Sequence, residues 1–514
     1  MNDGFWQKAW QFALLFAVIA MLAASIVVQQ GDLSRADVRE MIAEEGLGGD
    51  GGGSDAYPSD RDIRPVLTPI AQLTAAPDDE IHATYAPNVP PAADRSEQRI
   101  WQVHIESIEG VCPLDPASGV TTTMWGFRLA GDDEVVCGSP GPVLRGRVGD
   151  VVEITLTNLD GNTNPHNIDF HAVTGMGGGA EALSVNPGES ATIQIRLLYP
   201  GAFMYHCAYG DVPVHIAHGM YGMFIVDPET PLPAVDHEWA IMQSEWYVGE
   251  PDASGFASMD RAAMLAEEPR YVTFNGRTDA LTGDNTLEME VGEEARIYFV
   301  NQGLNLSSNF HPIGSHWDVV YPEAATHPAN PVIRGSQSTL VVAGGGTVVE
   351  VDALVPSTMI LVDHALVRTF YKGAIGTIVV SGDEQPELFG VLEAGSGGEG
   401  GHDMTSDTTV APADGAQVVI PSGAWDPANA ASAYDPIEIT VEAGTTVTWT
   451  NDDTMVHTVT SGSSDGSIGS PDGLFDSGFL NPGDTFSFTF TTPGTYEYYC
   501  TPHPWMRARV TVTE

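Results

Sequence analysis

Residues 203–220 read FMYHCAYGDVPVHIAHGM, which sets His206 beside Cys207 and follows them with His215 and Met220. A thiolate, imidazoles and a thioether packed this densely are the soft and borderline donors that a transition metal collects. Upstream, PHNIDFH at residues 165–171 supplies His166. His166, Cys207, His215 and Met220 then make two imidazoles, one thiolate and one weak axial thioether, the donor set of a trigonal copper site for electron transfer. The C-terminal CTPHPWM repeats the pattern with Cys500, His503 and Met506, and His457 stands upstream in NDDTMVHTV. A second copper site of the same kind is expected there.

The elements that hold these residues must be strands, and strand parity sorts the remaining ligands. Successive side chains on a strand point to opposite faces, so His206 and Cys207 cannot serve one site. His166 and His171 are likewise out of phase, whereas Asp169 and His171 share a face. One face collects His166 and Cys207. The other collects Asp169, His171 and His206, two imidazoles and a carboxylate suited to a second, catalytic metal. Catalytic sites commonly have three protein ligands and an open position, so one more is needed. His364 in LVDHALVRTF has the parity of His206, and the same region supplies His311 in FHPIGSH. His218, His327 and Met223 are expected to be loop or core residues, and His316 and Asp363 have no role that the pattern demands.

Three regions of the chain repeat one another. Each has a Gly-acid-strand-Asn segment: VGDVVEITLTN, VGEEARIYFVN and EAGTTVTWTN. In each, a later Pro precedes a strand that ends in ligand-type residues: Cys207, Asp363 and Cys500 fall at the same distance beyond Pro200, Pro356 and Pro493. The middle repeat has lost its cysteine. Val, Thr, Ile, Phe and Tyr alternating between turn signals predict an all-β chain of sandwiches, with a helical turn or two near residues 258–267. The expected divisions are an N-terminal segment at 1–30, a Gly- and Pro-rich flexible tether at 31–93, sandwiches at 94–233 and 234–390, a linker at 391–415, and a third sandwich at 416–514.

Bulk chemistry narrows the partners. The formal net charge of −49 over 514 residues repels nucleic acid and anionic lipid, so neither is an expected partner. Such a surface suits a salt-rich medium that screens its self-repulsion. Residues 12–28 (FALLFAVIAMLAASIVV) carry no charge and read as an uncleaved membrane anchor or a cleaved signal. Either sends the remainder out of the cytoplasm, to the periplasm or the outer face of the membrane. There, Cys112 and Cys137 either pair across a hairpin or stay separate thiols.

The third repeat resembles the plastocyanin, amicyanin and halocyanin group of small blue copper proteins. From about Ile100 to Asp383, the motifs PHNIDFH, YHCAYGDVPVHIAHGM, FNGRTDALTGD, FHPIGSH and LVDHALVRTF resemble the two-domain copper-containing nitrite reductases. That resemblance implies three cupredoxin-like Greek-key sandwiches. It also implies a type 1 copper on His166, Cys207, His215 and Met220, and a type 2 copper on His171 and His206 of one subunit and His364 of a neighbour, hence a homotrimer. Asp169 and His311 match the family's proton-handling pair. The implied reaction is one-electron reduction of nitrite to nitric oxide and water. The third repeat is then either a tethered electron donor or a docking adaptor for an external one. The Cys112–Cys137 hairpin and the appended third repeat depart from the family pattern. A multicopper oxidase would need paired His-x-His motifs, and this sequence has none. A simple electron carrier would leave Asp169, His171, His206, His311 and His364 without employment.

Overall fold

The computed structural model describes residues 63–77, 79–390, 416–453, 455–464, 466, 469–478, 480 and 483–514. The apolar run at 12–28, the start of the tether and the linker at 391–415 lie outside the described residues. Among the described residues no helix is long and apolar enough to cross a membrane.

Mostly β structure follows from the alternation. In Val151–Asn158 the side chains of Val152, Ile154 and Leu156 point inward while Glu153, Thr155 and Thr157 stay half-exposed. That is the period-two pattern of a strand with one wet face. The first sandwich has two five-stranded sheets. One contains the hairpin of β1 (Arg99–Asp115) and β2 (Val120–Leu129); the other contains β3 (Gly201–His206). Its core includes Trp101, Phe127, Ile154, Phe170 and Phe224, and also Cys207 and Met220. In the second sandwich, Phe299, Phe310, Trp317 and Leu361 form the core, and β4 (Ser357–Asp363) lies in its five-stranded sheet. The third sandwich pairs a three-stranded with a five-stranded sheet, the latter holding β5 (Gly494–Tyr499), around Trp449, Tyr434, Cys500 and Met506.

The first two sandwiches abut through Tyr221, Met223, Met242, Tyr298 and Val348. Arg145 rims that seam, pairing with Asp227 at 2.9 Å and Glu238 at 2.6 Å. Among the described residues α-helix is confined to short pieces: α1 (Val212–Ala217), α2 (Arg261–Ala266) and α3 (Leu366–Lys372). α2 starts where the Asp260 carboxylate accepts the Ala262 and Ala263 amides, an N-cap that explains the expected turn near 258–267.

One feature departs from a plain reading of the sequence. The described part of the expected tether, from residue 63 to 93, is laid along the first sandwich. Thr74–Ala75 pairs with Arg99–Ile100, and Ala83–Thr84 pairs with Val143–Leu144. His82 stacks on Trp101 with centroids 4.2 Å apart, and Arg95 joins Glu80 to the buried Asp150. Proline bars helix and central strands, yet short proline-free stretches still pair at a sheet edge. Cys112 and Cys137 do pair, as a disulfide that ties β1 to the chain just past β2.

Candidate metal centres

The two ligand sets part at the end of β3. His206 is paired with both Asp169 and Tyr221 across the sheet, and Cys207 is the next residue, buried in the core. Cys207 Sγ lies 3.2 Å from His215 Nδ1 and 3.9 Å from His166 Nδ1, and the two nitrogens are 3.3 Å apart. His215 comes from α1, and His166 from the segment bridged to Val185. The Cys207 amide donates to the Met220 carbonyl at 3.1 Å, which closes the loop and keeps Met220 beneath it, fully buried. An ion about 2 Å from each donor would fit between them.

Proton positions suit such an ion. Glu109 lies 2.9 Å from His166 Nε2 and accepts from it, so Nδ1 presents its lone pair to the thiol. Burial works against the Glu109 charge, but hydrogen bonds from Thr163 and Asn164 hold its pKa below the usual range. Burial, then the neighbouring His166 and His218, pull His215 down to about 4, so it is neutral near pH 7. Burial pushes the Cys207 thiol up to about 11 in the metal-free protein. A bound cation reverses that, because a coordinating thiol is deprotonated.

The third sandwich repeats this plan. Cys500 Sγ is 3.3 Å from His503 Nδ1 and 3.6 Å from His457 Nδ1, and the two nitrogens are 3.1 Å apart. Asp453 lies 2.8 Å from His457 Nε2, where Glu109 stands in the first. The Cys500 amide donates to the Met506 carbonyl at 3.1 Å. Burial lowers His503 to about 4, with His457 beside it, and raises Cys500 to about 12.

The second sandwich shows what replaces a lost copper. Asp363 takes the cysteine position and accepts the amides of Asn309 at 3.1 Å and Ala365 at 3.2 Å. Arg368 pairs with it at 3.1 Å. Ser308, at the place of His166 and His457, donates to Gln243 Oε1. An ion pair and hydrogen bonds fill the space that a metal takes in the other two sandwiches.

The other face of β3 builds a different site. His171 Nε2 and His206 Nε2 are 3.2 Å apart, and a ligand oxygen of Asp169 lies within 4.8 Å of them. His206 Nδ1 donates to the Cys207 carbonyl at 3.1 Å, leaving Nε2 free to bind. Asp169 is held against Gly178, where an added Cβ would sit 1.8 Å from the Asp169 carboxylate oxygen. His364 is not in this group. It is exposed at the end of β4, its ring 5.1 Å from that of His311, whose Nδ1 donates to the Gln337 carbonyl. Leu366 and Val367 follow it and are 42% and 64% exposed. His218 braces the first set, stacked on Trp125 at 3.9 Å, and Met223 packs in the seam between sandwiches.

Glu109, Trp125 and Asp453 are site residues that motif reading passes over. Asp453 is four residues from His457, a spacing that could have found it. Glu109 and Trp125 lie on β1 and β2, far upstream of the ligands they touch, and no local pattern marks them.

Comparison with known proteins agrees with this geometry. Residues 424–513 match the family of copper binding proteins described as plastocyanin/azurin, and residues 113–230 match the multicopper oxidase family. The copper-containing nitrite reductase of Neisseria meningitidis is 42% identical over 306 residues, spanning 59% of this chain and 76% of that protein. The corresponding enzyme of Pseudomonas chlororaphis is 34% identical over 272 residues, 50% of this chain and 74% of that one. A solved copper nitrite reductase from Nitrosomonas europaea is 35% identical, covering 56% of this chain and 96% of its own, with a TM-score of 0.48. With its ligand pattern, its sandwiches and its 42% identity to the Neisseria meningitidis enzyme, the chain belongs to the copper-containing nitrite reductases and carries a plastocyanin/azurin-type copper domain at its C-terminal end.

Proposed function

We propose that nitrite is reduced to nitric oxide and water at a copper held by His171 and His206 of one subunit and His364 of the next, within a homotrimer. One electron and two protons are consumed. The observation that carries this reading is the divergence at the end of β3, where His206 and Cys207 join two ligand sets through one peptide bond. The apolar Leu366 and Val367 beside an exposed His364 support its use by a second subunit.

Copper at the His171–His206–His364 position supplies a Lewis-acid seat for the nitrite anion and a one-electron couple. His166, Cys207, His215 and Met220 would hold a second copper, which would supply a one-electron couple, and the Cys207–His206 peptide joins the two ligand sets. The Asp169 carboxyl, kept forward by Gly178, hydrogen-bonds a nitrite oxygen and hands it a proton. His311, its Nδ1 committed to the Gln337 carbonyl, exchanges the second proton through Nε2. His457, Cys500, His503 and Met506 hold the copper of a tethered electron donor. The chain works outside the cytoplasm, attached through residues 12–28. The Cys112–Cys137 disulfide supports an oxidising compartment. The multicopper oxidase likeness over residues 113–230 fits a sandwich, but the His-x-His pairs of a trinuclear oxygen site are absent from the sequence.

The test is anaerobic: copper-loaded, reduced full-length protein receives nitrite while nitric oxide and copper content are measured. Three coppers per chain, one for each ligand group, and nitric oxide release are expected. Two coppers and no nitric oxide would leave only an electron carrier.

A further inference from the structure

The Cys112–Cys137 bridge stands outside every copper motif, yet both segments that it joins lead to the Cys207 set. The first segment is the hairpin of β1 and β2. Glu109 and Trp125 face each other across it, in register. Glu109 accepts from His166 Nε2 at 2.9 Å, and the Trp125 ring stacks on His218 at 3.9 Å and lies 4.9 Å from that of His215. The Trp125 amide also donates to the His218 carbonyl at 2.9 Å. One rung of the hairpin therefore touches both histidines of the set.

The second segment is the return past β2, residues 136–141. It lies against the two glycines that follow Glu109 and Trp125. A Cβ on Gly126 would sit 2.2 Å from the Cys137 carbonyl oxygen, and one on Gly110 would sit 3.5 Å from that of Val136. The Phe127 amide donates to the Gly138 carbonyl at 2.9 Å. Further on, the Gly141 amide donates to the Tyr221 carbonyl at 2.7 Å, and a Cβ on Gly219 would meet Ser139 Oγ at 2.4 Å. Gly219 and Tyr221 flank Met220 of the same set. Cys112 itself is buried with Leu114, Met124 and Trp246, in an apolar cluster distinct from the one that holds Cys207 and Met220.

We propose that the Cys112–Cys137 disulfide is a positioning element of the Cys207 copper set: it clamps the hairpin to the return segment, which holds Glu109 on His166 and braces Met220 from the other side. This rests on the reading of the Cys207 set as a copper site. With the bridge cut, the hairpin is free to lift from the return segment and Glu109 loses its fixed place on Nε2. The His166 imidazole is then a weaker donor, which favours reduced copper. The bridge touches no ligand, so both cysteines act through Glu109 and the return segment.

Two measurements on the full chain test it, each with Cys112→Ala and Cys137→Ala combined. In metal-free protein, amide hydrogen exchange is compared with wild type. Faster exchange at Trp125, Phe127 and Gly141, with Ile154 and Leu156 as in wild type, is expected. No change at the first three, or equal acceleration at all five, contradicts the clamp. In copper-loaded protein, each copper is brought to electron equilibrium with a fixed donor and read by its thiolate-to-copper absorbance. The Cys207 copper is read in a Cys500→Ser chain and the Cys500 copper in a Cys207→Ser chain. Cutting the bridge should shift the Cys207 copper about tenfold toward its reduced form and leave the Cys500 copper, in a sandwich without the bridge, unmoved. In a Glu109→Gln background the same cut should add about twofold or less, since both changes act through one contact. An unmoved Cys207 copper, a shift shared with the Cys500 copper, or a further shift of about tenfold in Glu109→Gln overturns the proposal. Cys112→Val with Cys137→Ala serves should the alanine pair not fold. Absence of copper from the Cys207 set in wild type would overturn the reading beneath the proposal, and the exchange comparison would still decide the clamp.

Discussion

Glu109 and Asp453 do the same work in two sandwiches that share little else: each fixes the proton of a copper-facing imidazole on the far nitrogen. A carboxylate on that nitrogen raises the basicity of the ligand and so favours the oxidised metal. Glu109→Gln should therefore raise the reduction potential of the Cys207 copper. The expected shift is about 59 mV, a tenfold change in its electron equilibrium with a fixed donor, read by redox titration of its visible absorbance. The histidines give a pH prediction for the metal-free chain. An unfolded imidazole takes up its proton near 6.5, whereas folded His215 and His503 do so only near 4. Between these values the unfolded chain binds more protons, so stability is full above about 6.5, declines as pH falls toward 4, and levels off below. Each residue contributes up to about 3 kcal/mol of that loss, which denaturant titrations at stepped pH will show. Copper-loaded protein should resist the decline until protons displace the metal. At this scale the groupings were legible from residue type and strand parity: His166 with Cys207, and Asp169 with His171 and His206. Glu109 was not, because its contact bridges 57 residues of chain and a lone acid on a strand looks like any solvated side chain.

Strand ends decide which repeat holds copper. β3 and β5 end one residue before Cys207 and Cys500, β4 ends in Asp363, and the neighbouring amide that donates to the Cys500 sulfur, from Thr458, has its counterpart in the Asn309 amide donating to Asp363. The copper-free sandwich stays closed because Asp363, fully buried, satisfies two amides and Arg368. Asp363→Ala leaves those donors unmatched and should cost about 2 kcal/mol, seen as a lower denaturation midpoint; an unchanged midpoint would show that water replaces the carboxylate. The repeat pattern identified β4 as a copper-site relative that had lost its thiol. It could not show that an ion pair had taken over, since Arg368 lies past the strand, on α3. The same limit hid the ordered stretch from 63 to 93, whose proline content reads as loose chain even though it pairs with two strands of the first sandwich.

The whole molecule joins three separately cored sandwiches under a charge of −49. That field opposes the approach of nitrite, an anion, and salt screens it, with a Debye length near 8 Å at about 0.15 M. The second-order rate of nitrite turnover should therefore rise as ionic strength increases from about 0.01 to 0.15 M, the reverse of a cationic site's response. Sandwich count and order were readable from the internal repeats. His364 stands apart from His171 and His206 in the structure, and the proposed homotrimer would bring it to them from a second subunit. A mixed oligomer tests that directly. His206→Ala and His364→Ala, each prepared alone, should bind two coppers per chain and release no nitric oxide. Co-expressed in equal amounts, they should form trimers in which about one interface in four carries all three histidines, restoring close to a quarter of wild-type nitric oxide release. Release by His364→Ala alone, or none from the mixed oligomer, would contradict a nitrite site shared between subunits.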